Sequence, residues 1–158
     1  MMYWQTPMID RWIDLDILRA AFADVFSLRP SRIQVSDDVL TMTDPRPPEP
    51  RMLLERTRRD GPFPLQLDVV LVGDELERPV ADLAGTLAKA RALARHLNAV
   101  MLFGTGPIGY EEQMRVAPDS TVDIVQLDGD ALDEDRFIIV GARPFTEQPA
   151  EPAPASRA

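Results

Sequence analysis

The densest group of chemically active side chains is an acidic run near the C-terminus. Five carboxylates fall within eight residues: Asp128, Asp130, Asp133, Glu134 and Asp135. A calcium loop takes oxygen ligands at alternating positions and needs a glycine at the sixth. Here the fifth position is Leu132, and the glycine stands second. The run therefore predicts either a solvated turn between strands or an acidic patch that meets a basic protein surface.

A second pattern is the glycine motif G-x-G-x-x-G at residues 104–109, directly after an apolar run. In dinucleotide-binding folds such glycines let the backbone approach a pyrophosphate at the start of a helix. Asp128 follows Gly109 at about the distance of a ribose-binding acid. However, the residues after Gly109 show no helical stripe, and Pro118 would end a helix early. A glycine-rich turn is the favoured interpretation, and a nucleotide or small-ligand site is the alternative.

The remaining reactive residue types exclude several enzyme classes. The chain has no cysteine and a single histidine, His96, so it lacks thiolate chemistry and any site with two imidazoles. The acidic run does not supply the differently buried pair of carboxylates that acid–base catalysis needs. We therefore expect no catalytic residue, no cofactor and no metal, and we predict that the protein is not an enzyme.

Four arginines form the basic cluster of the sequence: Arg51, Arg56, Arg58 and Arg59. We expect them to line one exposed strand face, where charge resists pairing with another strand. Nucleic-acid binding would add stacking aromatics, and Phe63 is the aromatic nearby. The aromatics Tyr3, Trp4 and Trp12 are expected to pack on the first helix, with a partner anchor as the alternative.

The charge balance points to a protein partner rather than to nucleic acid. The 158 residues include 17 basic and 26 acidic side chains, for a formal charge of -9. No apolar run approaches the length of a membrane span, and the N-terminus lacks the features of a signal peptide. We expect a cytoplasmic protein without membrane or nucleic-acid contacts. Monomer and homodimer both remain open.

Two amphipathic helices are predicted from apolar residues at three- and four-residue spacing. The first covers residues 15–26, with Asp14 as its N-cap. The second begins near Pro79 and carries an apolar stripe from Val80 through Leu83 to Leu97. Asn98 is expected to end it.

Alternating or short apolar segments predict the strands. They are residues 32–36, 39–42, 52–58, 64–72, 99–103, 113–117, 121–127 and 137–140. A turn at residues 118–120 should join the two strands around it as a hairpin. The predicted fold is a single α+β domain over residues 1–145, with two main helices packed on a largely antiparallel sheet. A disordered tail rich in proline and alanine is expected over residues 146–158.

Residues 83–140 resemble small bacterial immunity proteins of polymorphic-toxin and contact-inhibition systems. The resemblance is one of layout, in which a helix runs into the strand of residues 92–103. A loop and a hairpin follow, and residues 125–132 precede a final strand. It implies a cytoplasmic protein that binds and blocks one cognate toxin, and it transfers no functional residue.

These observations together predict a non-catalytic acidic binding protein, an immunity protein that blocks a cognate bacterial toxin. Residues 128–135 are its expected contact surface for the toxin or another basic protein. One alternative is a small-ligand or nucleotide-binding protein that uses the loop of residues 104–109. Another is a structural or scaffold subunit.

Overall fold

The computed structural model describes residues 1–37, 50–104 and 111–146. Within these ranges it contains two long helices, α1 (Leu15–Val25) and α3 (Leu83–Leu97). Two single-turn helices are α2 (Asp74–Glu77) and α4 (Gly129–Leu132). Short 3-10 turns cover Pro30–Arg32 and Arg78–Val80. In the described chain, no helix is long and apolar enough to cross a lipid bilayer.

Nine described strands form one mixed sheet. They are β1 (Met2–Gln5), β2 (Met8–Ile9), β3 (Ile33–Ser36), β4 (Arg51–Arg58), β5 (Leu65–Val72), β6 (Met101–Gly104), β7 (Glu112–Val116), β8 (Val122–Leu127) and β9 (Ile139–Pro144). The sheet order is β3-β4-β5-β2-β6-β7-β8-β9, and β1 also pairs with β5. Among these described pairs only β3 and β4 run parallel. The predicted α+β class, with helices on a largely antiparallel sheet, is confirmed.

The main core lies between one face of the sheet and the two long helices. Alternation along β5 turns Leu65, Leu67, Val69 and Leu71 to this side, where each is fully buried. Helix α1 contributes Phe22 to the same cluster. Full burial of one such leucine stabilises the fold by about 1.5–3 kcal/mol, so this face dominates the packing energy.

A smaller apolar cluster lies apart from the main core. Its buried members are Met8, Phe63, Leu102, Val125 and Leu127. Met8 and Leu102 are chain neighbours of main-core residues, so alternation places them on the face away from α1 and α3. The partly buried side chains of Leu132 and Phe137 pack against the cluster. The acidic region between β8 and β9 therefore has an apolar underside fixed to the sheet.

The two halves of the sheet are joined by the two residues of β2. Met8 pairs with Gln66 of β5 on one side and with Leu102 of β6 on the other. On the N-terminal side of β2, β1 pairs with β5, and no strand pairing is described between β1 and β6. The backbone N–H of Gly104 instead donates to the side-chain oxygen of Gln5 at 3.2 Å. The sheet therefore contains a seam between β1 and β6.

The second long helix starts later than the sequence predicts. Pro79 lies in the separate turn Arg78–Val80, and α3 begins after Asp82, whose carboxylate accepts from the backbone N–H of Gly85 at 2.7 Å. Asp82 is the better N-cap because its oxygen satisfies a backbone donor of the first turn. As a consequence Leu83, predicted to lie in the apolar stripe, is 49% exposed. Asn98 adopts the left-handed conformation that ends α3, as expected.

The N-terminal aromatics divide between core and surface. Trp4 is buried, and its ring meets Phe26 edge-on at 5.4 Å, just after α1. Its indole N–H donates to the hydroxyl of Thr86 in α3 at 3.1 Å. The expected packing on the first helix is therefore confirmed for Trp4. Trp12 is half-buried, and Tyr3 remains 57% exposed.

The C-terminal half follows the predicted hairpin but not the predicted last strand. β7 and β8 pair as expected, and Ser120 takes a left-handed conformation in the connecting turn. The last strand was predicted at residues 137–140, and this position was wrong, because β9 spans Ile139–Pro144. Phe137 instead packs on the smaller apolar cluster, which removes it from the ladder.

Three predictions lie wholly or partly outside the described residues. The predicted strand at residues 39–42 lies wholly outside them. The predicted tail lies outside them except for Thr146, and the glycine motif lies outside them except for Gly104. Residues 52–58, for which the pattern slightly favoured a strand, do form β4.

Candidate functional site

The predicted acidic segment, residues 128–135, lies between β8 and β9 and includes α4. Asp128 is its N-cap, and its carboxylate accepts from the backbone N–H of Asp130 at 3.0 Å. Ala131 is buried beneath the turn, and Leu132 packs on the smaller apolar cluster. The N-cap of α4 and the apolar contacts of Ala131 and Leu132 therefore hold this segment in place, and most of its carboxylates are exposed to solvent.

The five predicted carboxylates have different surroundings. Asp128 is half-buried, and Asp130, Asp133, Glu134 and Asp135 are exposed. Glu134 forms an ion pair with Arg136, and Asp135 lies 4.0 Å from a guanidinium nitrogen of Arg59. Within the described chain, Asp130 and Asp133 form no ion pair. These two carry charge that is available to a partner.

Glu111 adds a carboxylate that the sequence analysis missed. Its backbone oxygen accepts from Leu127 at 2.6 Å, which places it beside the start of the segment. A Cβ built on Gly129 would lie 2.9 Å from its side-chain oxygen. The predicted hairpin was the signal that could have identified Glu111. Extending the pairing of β7 with β8 by one residue places residue 111 beside residue 127.

The turn between β4 and β5 adds a further carboxylate. Arg59 pairs with Asp135, and a Cβ built on Gly61 would contact the Cβ of Arg136 at 3.8 Å. Asp60 lies between Arg59 and Gly61 in the chain, and its side chain is exposed. We use the term acidic surface for the acidic segment together with Glu111 and Asp60. Its seven carboxylates and the two arginines, Arg59 and Arg136, leave a local formal charge of -5.

This arrangement is suited to attracting positive charge at long range. Seven carboxylates on one surface raise the negative potential, which steers a basic partner towards it. In the described parts of the chain, no three acidic or histidine side chains are grouped closely enough to hold a metal ion. The negative charge of the surface is suited to attracting a positively charged group at long range.

A cavity of about 390 Å³ opens at the seam between β1 and β6. Apolar walls come from Trp4, Met8, Leu132 and Phe137. Neutral polar groups complete the lining: Tyr3, Gln5, Thr6, Gln66, Gly104 and Gln113. Gly104 is the first residue of the glycine motif, and residues 105–109 of that motif lie outside the described chain.

A hydrogen-bond network borders the cavity at Asp68. Tyr3 donates to its carboxylate at 2.6 Å, and Thr6 donates at 2.9 Å. The hydroxyl groups of Tyr3 and Thr6 also contact each other. Partial burial, followed by the hydrogen bond to Asp68, raises the pKa of Tyr3 above its ordinary value. Tyr3 therefore remains a hydrogen-bond donor at neutral pH.

Glu55 faces this network from the neighbouring strand. It is the direct cross-strand partner of Asp68, so the two carboxylates lie on one face of the sheet. Its charge also contributes to the raised pKa of Tyr3. The sequence analysis missed this pair, because the two residues belong to separate strands whose register the sequence left open.

The prediction that four arginines line one exposed strand face was wrong. Arg51 is buried at the start of β4, and alternation turns it to the side opposite Arg56 and Arg58. The guanidinium groups of Arg56 and Arg58 lie 4.1 and 3.9 Å from the ring centroid of Trp12. Arg59 turns to the acidic segment instead.

His96 has a structural environment. Its Nε2 lies 3.6 Å from a carboxylate oxygen of Asp24, so it links the end of α3 to α1. Both side chains are exposed. The contact connects two helices at the protein surface.

Comparison with known proteins identifies no relative of this chain. No protein-family model matches the chain, and no curated protein and no solved structure shows significant similarity to it.

Proposed function

We propose that this protein is a non-catalytic binding protein that recognises a basic protein partner through its acidic surface. The single observation that carries the proposal is the acidic segment. It presents the exposed carboxylates of Asp130 and Asp133, free of described ion pairs, on a turn anchored to the sheet. The layout resemblance to immunity proteins suggests a cognate toxin as the partner, blocked in the cytoplasm.

Charge supports this proposal at two scales. The whole chain has a formal charge of -9, and the acidic surface carries -5 of it. A field of one sign at the contact surface raises association rates by about 10–10³-fold and weakens steeply with added salt. A basic protein is therefore the partner class that this surface favours.

An apolar contact adjoins the acidic surface and would add affinity. Val140 in β9 is 61% exposed, and it follows the segment in the chain. Binding energy in protein interfaces concentrates in a few apolar or aromatic contacts surrounded by polar residues. In this arrangement the carboxylates guide the encounter, and Val140 with its neighbours in β9 holds the partner.

Charge reversal tests this proposal directly. The variant D130K/D133K reverses two carboxylates without breaking a described ion pair. The matched control, D74K/E75K, reverses two exposed carboxylates of α2, at the other end of β5. Both changes add the same charge to the chain.

The tagged proteins are incubated with host lysate and washed at low and then high salt. We expect wild type and control to retain one stoichiometric basic protein that high salt releases, and D130K/D133K to retain less than a tenth as much. Equal retention by all three proteins would contradict the proposed surface.

A second candidate function is the binding of a small neutral molecule in the seam cavity. The observation that favours it is the cavity's size, about 390 Å³, which falls within the range of ligand pockets, about 300–1,000 Å³. Its described lining contains apolar and neutral polar side chains but no charged one. Such a site suits an uncharged ligand better than a nucleotide.

The variant L132W places a larger side chain in the cavity wall. A neutral fragment library, followed by ligand-detected NMR, should give fragments that bind wild type and lose binding at least tenfold in L132W. Titration with NAD(H) and ATP should give no heat. Fragments that bind both proteins equally would remove this candidate.

A further inference from the structure

The seam cavity adjoins the acidic segment. Leu132 contributes to the cavity wall, and it directly precedes the exposed Asp133 in the chain. Phe137, which follows the segment, lines the same cavity. Both apolar side chains pack on the smaller apolar cluster, on the sheet face away from α1 and α3. The cavity therefore belongs to the surface region that we propose to recognise a partner.

A second group of carboxylates borders the cavity at Asp68. Tyr3, Thr6 and Gln66 line the cavity, and each donates a hydrogen bond to this carboxylate. Asp68 alternates along β5 with main-core residues, so it also lies on the face away from the two long helices. Glu55 is its cross-strand neighbour. Within the described residues neither Asp68 nor Glu55 forms an ion pair.

The interior of the cavity differs from these surroundings. Its described lining carries no charged side chain, and Trp4, Met8 and Phe137 provide apolar and aromatic walls. Aromatic rings pack favourably on other rings and on methionine sulfur. The volume of about 390 Å³ lies near the lower end of the range of ligand pockets, about 300–1,000 Å³. The cavity therefore suits one uncharged aromatic group, whereas the carboxylates that border it favour cations beside that group.

We propose that the seam cavity is the anchor pocket of the partner-binding surface, and that it receives one aromatic side chain, tryptophan or tyrosine, from the basic partner. Lysine or arginine residues that flank this side chain in the partner face the acidic segment and the pair of Glu55 with Asp68. Binding energy in interfaces concentrates in such buried aromatic anchors, surrounded by polar contacts. This inference rests on the proposed function and adds a buried contact to the exposed one at Val140.

Peptide probes test the pocket on the wild-type protein. The first probe is acetyl-Gly-Lys-Lys-Trp-Lys-Lys-Gly-amide, and its matched control has alanine in place of tryptophan. Calorimetry at low salt should show that the tryptophan peptide binds about tenfold more tightly or better, as expected for a buried aromatic anchor. A tryptophan peptide with glutamate in place of each lysine should not bind. Equal affinities of the tryptophan and alanine peptides would overturn the inference.

Filling the cavity locates the effect. L132W keeps the charge of the acidic surface, and it should bind both lysine peptides with the affinity that wild type has for the alanine peptide. The matched control L83W places the same side chain at an exposed leucine outside the cavity lining, and it should behave like wild type. Thermal unfolding shows whether L132W is folded, and the peptide comparison on wild type decides alone if it is not. A folded L132W that still prefers the tryptophan peptide about tenfold would overturn the assignment to this cavity.

The variant D130K/D133K distinguishes this inference from the proposed function. It should bind both lysine peptides more weakly than wild type does, because the steering charge is reversed. It should keep the preference for tryptophan, because the pocket is intact. Unchanged affinities for both peptides would contradict the acidic surface itself. A loss of affinity for both peptides, with no preference for tryptophan in any protein, would overturn the pocket alone.

Discussion

A carboxylate oxygen of Asp135 lies 4.0 Å from Nη1 of Arg59, so the acidic segment contacts the turn between β4 and β5. Asp60 follows Arg59 in the chain and is exposed at the same turn. The contact also gives one of the five predicted carboxylates a basic neighbour. Asp130 and Asp133 are consequently the stronger choice for experiments on recognition.

The backbone of Asp135 gives a first prediction. Its φ of 57° is left-handed, a conformation that asparagine and aspartate tolerate better than alanine does. Both D135N and D135A lose the exposed ion pair, which contributes at most about 1 kcal/mol. D135A should therefore be less stable than D135N by about 1 kcal/mol, measured by urea unfolding. Equal stabilities would show that this turn relaxes without cost.

Two glycines should respond very differently to alanine. A Cβ on Gly85 would lie 1.7 Å from the backbone oxygen of Pro79, whereas one on Gly129 would lie 2.9 Å from the flexible end of Glu111. We expect G85A to lower the free energy of unfolding by more than about 2 kcal/mol. G129A should change it by less than about 1 kcal/mol. Thermal unfolding of both variants checks this, and a stable G85A would contradict the close approach before α3.

The pKa of Tyr3 gives a prediction at alkaline pH. Burial and the hydrogen bond to Asp68 raise this pKa above 10.0, so the folded state holds the proton more tightly than the unfolded state. The contribution is present in full below pH 10 and is lost as pH rises through the folded pKa. Y3F should lower stability by about 1 kcal/mol at pH 7.

The difference between wild type and Y3F should shrink above pH 10. Urea unfolding at pH 7 and at pH 11 measures it, and T6V serves as a control that removes the other hydroxyl donor to Asp68 without a titrating group. A constant difference between wild type and Y3F at both pH values would show that Tyr3 has no folded-state shift.

The ion pair between Asp37 and Arg56 predicts the opposite pH dependence of stability, with a loss at acidic pH. Two hydrogen bonds from Arg56, at 2.6 and 2.9 Å, lower the pKa of Asp37 below 3.8. The stabilisation is therefore present above pH 3.8 and is lost as pH falls through the folded pKa. D37N should be less stable than wild type at pH 7 by up to about 1 kcal/mol.

The difference in stability between D37N and wild type should be smaller at pH 2 than at pH 7. Chemical unfolding at the two pH values provides the measurement. A difference of the same size at both pH values would assign the effect of D37N to packing rather than to the ion pair.

The sequence predicted the elements whose signal is local. The stripe of α1, the alternation of β5 and the turn between β7 and β8 each depend on near neighbours in the chain. The start of α3 was misplaced, because proline at 79 and aspartate at 82 both suit a helix start. Only the cap contact to Gly85 decides between them. The shift of β9 likewise follows from Phe137, whose packing partners are distant in sequence.

The candidate sites show the same division. The acidic segment is continuous in sequence and was recognised, whereas Glu111 and Asp60 join it through tertiary contacts. The four arginines were read as one face because they are close in sequence. Strand alternation instead sends Arg51 to the opposite side from Arg56, and pairing with Asp135 turns Arg59 away.

The central claim is that the acidic surface steers a basic protein partner. Its most direct test is the rate of association between the captured partner and wild type, D130K/D133K or D74K/E75K, over a range of salt concentrations. We predict that D130K/D133K associates at least tenfold more slowly at low salt and loses most of the salt dependence, while the control keeps both. Association rates and salt dependence that are unchanged in D130K/D133K would contradict the claim.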